Sequence, residues 1–268
     1  MDLISSFQEA RKKLLEKSNS PEYQASCQHY QAEIQRLTSI AQLFLSENRE
    51  HLTNLEQRAI RREYASGSDL HRGFYCPCPV YELIVGNTHR GKLLKRRTSR
   101  SKPSHEYGFD ADGHLLWAKQ LHEKIPVYTE FLQCREDRRY GFTLDASMEL
   151  STVTEEMFQE GYLIRYTNCL FARIGDSLRC VELNSYGYIY DDQELCQYDW
   201  VCFMPPPDTQ ASSLPGIPEV LTSFSAIPPM LRRSQYHFNR ENGFIVSYST
   251  NGQTYIPRTP KLISRVIL

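Results

Sequence analysis

The sequence predicts an α+β protein in which an N-terminal helical hairpin or long-helix arm precedes a curved, partly closed antiparallel β-sheet meander. Apolar residues recur every three or four positions through the first 65 residues, which indicates helices. From residue 74 onward, apolar and aromatic residues alternate with polar ones between Asp/Gly turns, which is typical of strands. The 17 Tyr and 12 Phe of the chain also favour β-structure.

The predicted helical arm is built on an apolar stripe that runs from Tyr23 to Ala59. Ser20 is a good N-cap, and Pro21 suits the first helical position. The polar residues 46–50 can split this stripe, so one helix and two helices both remain open. The arm packs on itself or on the sheet, or it forms a homodimer through the N-terminal helices.

The sheet is predicted from hairpins, of which residues 107–117 form the clearest. Tyr107 and Phe109 share one face, residues 110–113 supply an Asp/Gly turn, and Leu115 and Trp117 return to that face. We expect a short helix to begin at Thr152, three residues before a glutamate. Further strands are predicted at residues 74–75, 80–85, 127–133, 140–144, 162–166, 170–174, 178–183, 186–190 and 200–204.

Composition shifts predict four segments. These are a helical arm at 1–66, an antiparallel sheet domain at 67–204, a Pro-rich linker at 205–235 and a C-terminal hairpin at 236–268 that returns to the sheet. The linker is the clearest boundary, because Pro and Ser disfavour both regular structures.

The run aromatic-x-aromatic-Asp-x-x-Gly-x-Leu at residues 107–115 resembles the YD (Rhs) repeats of bacterial polymorphic toxins. Residues 188–195 and 236–243 match with one-residue departures, so the resemblance covers a small share of the chain. It implies that the chain belongs to a bacterial polymorphic-toxin system, and by association that it is an immunity protein.

Composition excludes several classes of protein. The net charge of -1 and the pI near 6.7 do not suggest a dedicated nucleic-acid binder. No apolar run approaches the ~20 residues that span a bilayer. We see no secretion signal, so we expect a cytoplasmic protein whose eight cysteines are reduced.

Catalytic and metal-binding motifs are weak throughout, so we expect no cofactor, no metal and no catalysis. Cys76-Pro-Cys78 lacks zinc-site spacing. Asp110-Ala-Asp-Gly113 reads as a plain turn, because the further oxygen ligands of a calcium loop are missing. An enzyme remains an alternative, with a site in the concave sheet face where Cys or His lies beside a carboxylate. A nucleic-acid binder that uses the basic residues 89–102 is a further alternative.

Acidic and aromatic residues concentrate between positions 176 and 208, where Arg179 is the only basic residue. Tyrosine and tryptophan give rigid contact area, and carboxylates steer a basic partner. We therefore predict a protein-binding face that occludes a cognate toxin, such as a basic nuclease. The predicted contact residues are Tyr186, Tyr188, Tyr190, Asp191, Asp192, Glu194, Tyr198, Asp199 and Trp200.

Overall fold

The computed structural model describes residues 9, 12–13, 15–84, 88–95, 101–174, 177–192, 194–206 and 228–257. Within these ranges no helix is long and apolar enough to cross a membrane. Three α-helices and two 3-10 turns are described below by name: α1 Pro21–Asn48, the turn Arg49–His51, α2 Leu52–Gln57, the turn Gly73–Tyr75, and α3 Tyr81–Ile84.

The described strands form a 13-stranded antiparallel sheet, which confirms the α+β prediction. Its strands are β1 Arg61–Ser66, β2 Lys92–Leu93, β3 His105–Phe109, β4 Leu115–His122, β5 Ile125–Arg135, β6 Arg138–Asp145, β7 Leu150–Gln159, β8 Tyr162–Ile174, β9 Ser177–Asp191, β10 Glu194–Met204, β11 Met230–Glu241, β12 Phe244–Thr250 and β13 Gln253–Tyr255.

Each strand from β3 to β13 pairs with its chain neighbour, and β1 lies between β2 and β3. The sheet stays open, with β2 and β13 as its edges, so the partial closure that the sequence predicted is not seen. Both edge strands are very short, which limits the row of unpaired backbone groups that could template pairing with another chain.

Helix α1 runs across the strands on one face of the sheet. Its Tyr23 hydroxyl accepts from the Leu231 amide of β11 (3.0 Å), Arg36 binds β7, and Phe44 stacks on Phe142 of β6 at 3.9 Å. Between Tyr23 and Arg36 the helix rises ~20 Å at 1.5 Å per residue. The four strand spacings from β11 to β7 span ~19 Å. Each turn therefore reaches about one new strand, and the apolar stripe of α1 is buried within the chain.

The opposite face is covered by residues 68–84, called here the covering segment. Its Leu70, Val80 and Leu83 are buried in the same core as Tyr166 and Tyr188. The sequence predicted strands at 74–75 and 80–85. The structure instead forms the Gly73–Tyr75 turn and α3 there, so those two predictions are wrong. Apolar side chains at these positions are buried by packing onto a sheet rather than by joining it.

The predicted helix at Thr152 is also wrong, because residues 150–159 form strand β7. Glu155 and Glu156 are both buried and point to opposite faces, so each binds arginines from a different layer. The spacing of Thr152 and Glu155, which resembled a helix N-cap, therefore belongs to a strand. Residues 61–65 are likewise strand β1, and the Arg49–His51 turn separates α1 from α2.

The later strands are longer than predicted, because β8 joins residues 162–166 with 170–174 and β9 joins residues 178–183 with 186–190. Strand β11 begins at Met230, inside the segment predicted as linker, and β11–β13 extend the sheet beyond β10. Linker residues 207–227 lie outside the described residues.

Candidate functional site: an acidic rim and the clusters around it

The nine predicted contact residues do not form one exposed face. Tyr186, Tyr188 and Tyr198 are only 3–5% exposed, because the covering segment packs on them. Tyr190 and Trp200 are half-buried on that same face. Burial raises the pKa of Tyr190 to about 12, so its hydroxyl stays protonated at neutral pH.

The four predicted carboxylates separate from the buried rings. Asp191, Asp192 and Glu194 are exposed around the β9–β10 turn. Asp199 is half-buried and accepts a hydrogen bond from Gln197 (3.0 Å). It lies on the α1 face, in a polar groove of about 650 Å³ between that helix and the sheet. The predicted residues therefore lie in three places. The rings lie on the face under the covering segment, Asp199 lies on the α1 face, and the other three carboxylates lie together at one end of the sheet.

The sheet topology brings together a larger acidic set that the sequence analysis missed. Because the hairpins alternate in direction, the turns β3–β4, β5–β6, β7–β8, β9–β10 and β11–β12 all lie at one end of the sheet. We call this end the acidic rim. Its turns and adjoining strand ends carry Asp110, Asp112, Glu136, Asp137, Glu160, Asp191, Asp192, Glu194 and Glu241.

The rim is long and regular. Neighbouring turns are two strands apart, or ~10 Å, and the five turns span ~38 Å at 4.8 Å per strand. Every rim carboxylate except the half-buried Asp110 belongs to an exposed residue. Counted in the same way, the described turns and strand ends at the opposite end carry Glu123, Lys124, Asp145, Glu149 and Asn251. Among the described residues, the acidic side chains are therefore more numerous at one end of the sheet.

Arginines at this end of the sheet offset part of this charge. Arg61 starts β1 opposite Phe109 and pairs with Glu63 (2.7 Å). Arg138 and Arg139 bind the buried Glu155 and Glu156, and Arg138 also lies 3.8 Å from the rim Asp137. Arg240 donates to the Leu195 carbonyl (3.1 Å) and lies 3.8 Å from Glu194. Arg135 is the exposed arginine of the β5–β6 turn. Asp110 also lies 3.3 Å from His114, and most other rim carboxylates face solvent without an ion-pair partner among the described residues.

Two apolar side chains lie next to the rim on exposed surface. Ile189 is 47% exposed near the end of β9, and Phe244 is 42% exposed at the start of β12. Their neighbours Tyr188 and Ile245 are buried on the face under the covering segment, so Ile189 and Phe244 point to the opposite face. Protein-binding surfaces commonly combine an apolar centre with a polar periphery, and these two side chains beside the carboxylates have that composition.

A buried charge cluster ties the covering segment to the sheet. Arg72 donates to both carboxylate oxygens of Glu130 (2.6 and 2.8 Å) and to Glu156 (2.5 Å). Its φ of 59° is left-handed, a strained backbone for a side chain of this size. Burial alone would raise the pKa of both glutamates, but the charge of Arg72 is the main opposing influence and holds both values low.

A cavity of about 130 Å³ adjoins this cluster, with His71, His105, Glu130 and Thr143 among its lining residues. His71 Nε2 lies 3.3 Å from Glu130 Oε1. Burial, and then the nearby His71, lower the pKa of His105 to about 4, so its imidazole is neutral at pH 7. The buried His105 Nε2 and Thr143 Oγ1 have no hydrogen-bond partner among the described residues. The arrangement can hold a small polar molecule.

Residues of the other motifs make structural contacts. Arg90 of the basic stretch donates to the Cys76 and Cys78 carbonyls (2.5 Å each), and residues 96–100 of that stretch lie outside the described residues. Burial raises the pKa of Cys76 to about 12 and that of Cys78 to about 11, so both thiols stay protonated. Asp110 accepts from the amides of Asp112 (3.0 Å) and His114 (2.8 Å), which closes the turn.

Comparisons with known proteins give no family. No family model matches the chain, and no curated protein matches it. Among solved structures the chain is similar to a porin-like protein from Bacteroides uniformis, with 13% identity, 62% of this chain and 94% of that chain covered, and a TM-score of 0.17. A likeness this weak supports no conclusion about function.

Proposed function

We propose that the chain is a bacterial cytoplasmic inhibitor of the immunity-protein type, which binds a basic toxin domain through the acidic rim and occludes its active cleft. The observation that carries the proposal is the placement of acidic turns along one end of the sheet. A regular row of exposed carboxylates raises the association rate with a basic partner and disfavours acidic ones.

Binding affinity would come from the uncharged surface beside the rim. Exposed charge pairs contribute little affinity by themselves, because water and salt screen them. Ile189 and Phe244 supply apolar area next to the carboxylates, as a binding surface requires. The buried Tyr186, Tyr188 and Tyr198 then fix the strands that present this surface rather than touch the partner.

The test uses the polypeptide encoded next to the gene of this protein. If that polypeptide contains a toxin domain, the wild-type chain should bind it and restore growth of cells that express it. The triple variant Asp191→Asn, Asp192→Asn and Glu194→Gln should bind at least tenfold more weakly at low salt, mainly through slower association.

A matched control variant removes charge at the opposite end of the sheet, with Glu123→Gln and Glu149→Gln. It should bind as the wild type does, and all proteins should unfold at similar urea concentrations. Equal binding by the wild type and the rim variant, or no effect of added salt, would show that the rim is not the binding surface.

A second candidate is an enzyme, favoured by His71 and His105 beside the Glu130 carboxylate. The cavity holds only about four waters at ~30 Å³ each, so a substrate would be small and polar. Titration with formate, urea and hydroxylamine, followed by the imidazole NMR signals, tests this candidate. Saturable shifts at both histidines would support a ligand site, whereas unchanged signals would indicate a cavity filled by water.

A further inference from the structure

A second groove lies on the covered face, between the covering segment and strands β9–β11. Its volume is about 440 Å³, within the ~300–1,000 Å³ usual for small-molecule pockets. We call this space the aromatic groove. Its aromatic lining residues are Tyr81, Tyr186, Tyr198, Trp200 and Tyr236. Tyr186 and Tyr198 are buried, and the other three rings are half-buried.

Contacts among the rings hold the groove in shape. Tyr81 meets Tyr186 edge-on, with centroids 5.5 Å apart and a 2.6 Å hydrogen bond between the hydroxyls. Tyr198 and Tyr236 lie 5.2 Å apart. The Trp200 indole donates to the Asn184 side chain at 3.1 Å. A ligand would therefore meet rings that are already ordered, which reduces the entropy lost on binding.

The charged groups of the groove are acidic. Asp69 and Glu182 line it, and no Lys or Arg is among its described lining residues; His71 lies where it meets the polar cavity. Asn184 donates to Glu182 (2.5 Å), which orients that carboxylate. Aromatic faces carry partial negative charge and attract cations. Rings and carboxylates around one space thus favour a positively charged, partly apolar ligand.

We propose that the aromatic groove binds a small alkylated ammonium ion of the size of choline or somewhat larger. Its charged, methyl-rich head would contact the rings, and Asp69 and Glu182 would balance its charge. A bare metal ion is disfavoured, because calcium and magnesium take about six or more oxygen ligands and the described lining offers two carboxylates. This inference is independent of the acidic rim and of the proposed toxin partner.

The experiment measures binding of choline and of its uncharged isostere, 3,3-dimethylbutan-1-ol, by calorimetry. Choline should saturate one site, and the isostere should bind at least tenfold more weakly, since only the charge differs. Trp200→Leu and Glu182→Gln should each weaken choline binding about tenfold. Tyr255→Leu, at a 41% exposed ring outside the groove, should have no effect.

Three results of the choline experiment would overturn the inference. These are no saturable choline binding by the folded wild type, equal binding of the isostere, or unchanged affinity in both groove variants. A lysine-containing peptide that binds where choline does not would also overturn it, since the groove would then be a protein-docking surface. Glu182→Gln keeps the test usable if Trp200→Leu fails to fold, because it changes no ring.

Discussion

Replacement of Arg72 by Met should lower the free energy of unfolding at pH 7 by ~3–5 kcal/mol, the usual cost of removing one partner from a buried ion pair. Methionine keeps much of the apolar stem but not the charge. Glu156 would still have Arg139, whereas Glu130 would keep, among the described residues, the Thr154 hydroxyl (3.1 Å) and the nearby His71 imidazole. Most of the loss should therefore come from Glu130. Domains of ordinary stability have ~5–15 kcal/mol in total, so the change would be easy to measure.

The loss should depend on pH in a defined direction. In the wild type the pKa of Glu130 is held well below its usual range, so its contribution to stability is present above the unfolded value of ~4.3 and is lost as the pH falls through the folded pKa. Without Arg72, burial would raise that pKa above the unfolded value. The free-energy cost of burying the unpaired Glu130 carboxylate would be complete above this raised pKa and absent below ~4.3. The difference in unfolding free energy between the wild type and Arg72→Met should therefore be smaller at pH 4 than at pH 7.

Urea denaturation of both proteins at pH 7 and pH 4 provides the measurement. The matched control is Arg62→Met, whose side chain is 55% exposed and pairs with Glu106 at 3.2 Å. Exposed pairs contribute ~0–1 kcal/mol, so this variant should change little. A loss below ~1 kcal/mol in Arg72→Met, or the same loss at both pH values, would refute the argument that Arg72 neutralises a buried carboxylate.

Three further predictions concern single residues. Gly141→Ala places a methyl group 2.0 Å from the Glu130 carboxylate and should cost ~2 kcal/mol or more by urea denaturation; a loss under ~0.5 kcal/mol would show that the buried carboxylate can move. Phe44→Ala should cost ~3–5 kcal/mol, while the 46% exposed Leu43→Ala should cost under ~0.5 kcal/mol, and equal losses would contradict the assigned helix face. The His105 imidazole should not titrate between pH 8 and pH 6 in NMR spectra. The unfolded chain takes up this proton near pH 6.5, whereas the folded protein takes it up at a pKa of about 4. The free energy of unfolding should therefore fall by up to ~1.4 kcal/mol per pH unit as the pH is lowered from ~6.5 to about 4.

The hairpins were predictable because their signals are local. Alternation at residues 107–117 and the Asp/Gly turn give strands β3 and β4 without any distant contact. Two further hairpin turns are formed by Asn242-Gly243 and Asn251-Gly252, whose backbones are left-handed. An Asn-Gly pair between two strands predicts this type of turn. The apolar stripe likewise predicted α1. Local chemistry therefore established the element types over most of the sheet.

Elements whose environment comes from distant residues were not predictable in this way. The β7 glutamates can be buried because Arg36 and Arg72, more than 80 positions away in sequence, bring charge to either face. The covering segment is apolar enough to resemble strands, and only the structure shows that it packs onto the sheet. The buried tyrosines were misplaced for the same reason, because nothing in their own sequence indicates which face is covered.

The candidate site lies between these cases. The β9–β10 carboxylates were recognised from local charge. The rim was missed because it requires the alternation of turns to be followed along the whole meander. Once consecutive hairpins are assumed, every second turn falls at the same end, and its acidic content can be read from the sequence.

The contact between Tyr23 and Leu231 has a consequence for biosynthesis. These residues are 208 positions apart, so α1 leaves the ribosome long before the strand that receives its first turn has been made. At ~5–20 residues per second, the first turn of the helix would wait for ~10–40 seconds before the strand that it packs on is made. A chaperone that protects nascent chains should therefore act on the first fifty residues, and slow translation should lengthen the period in which they can associate with other chains.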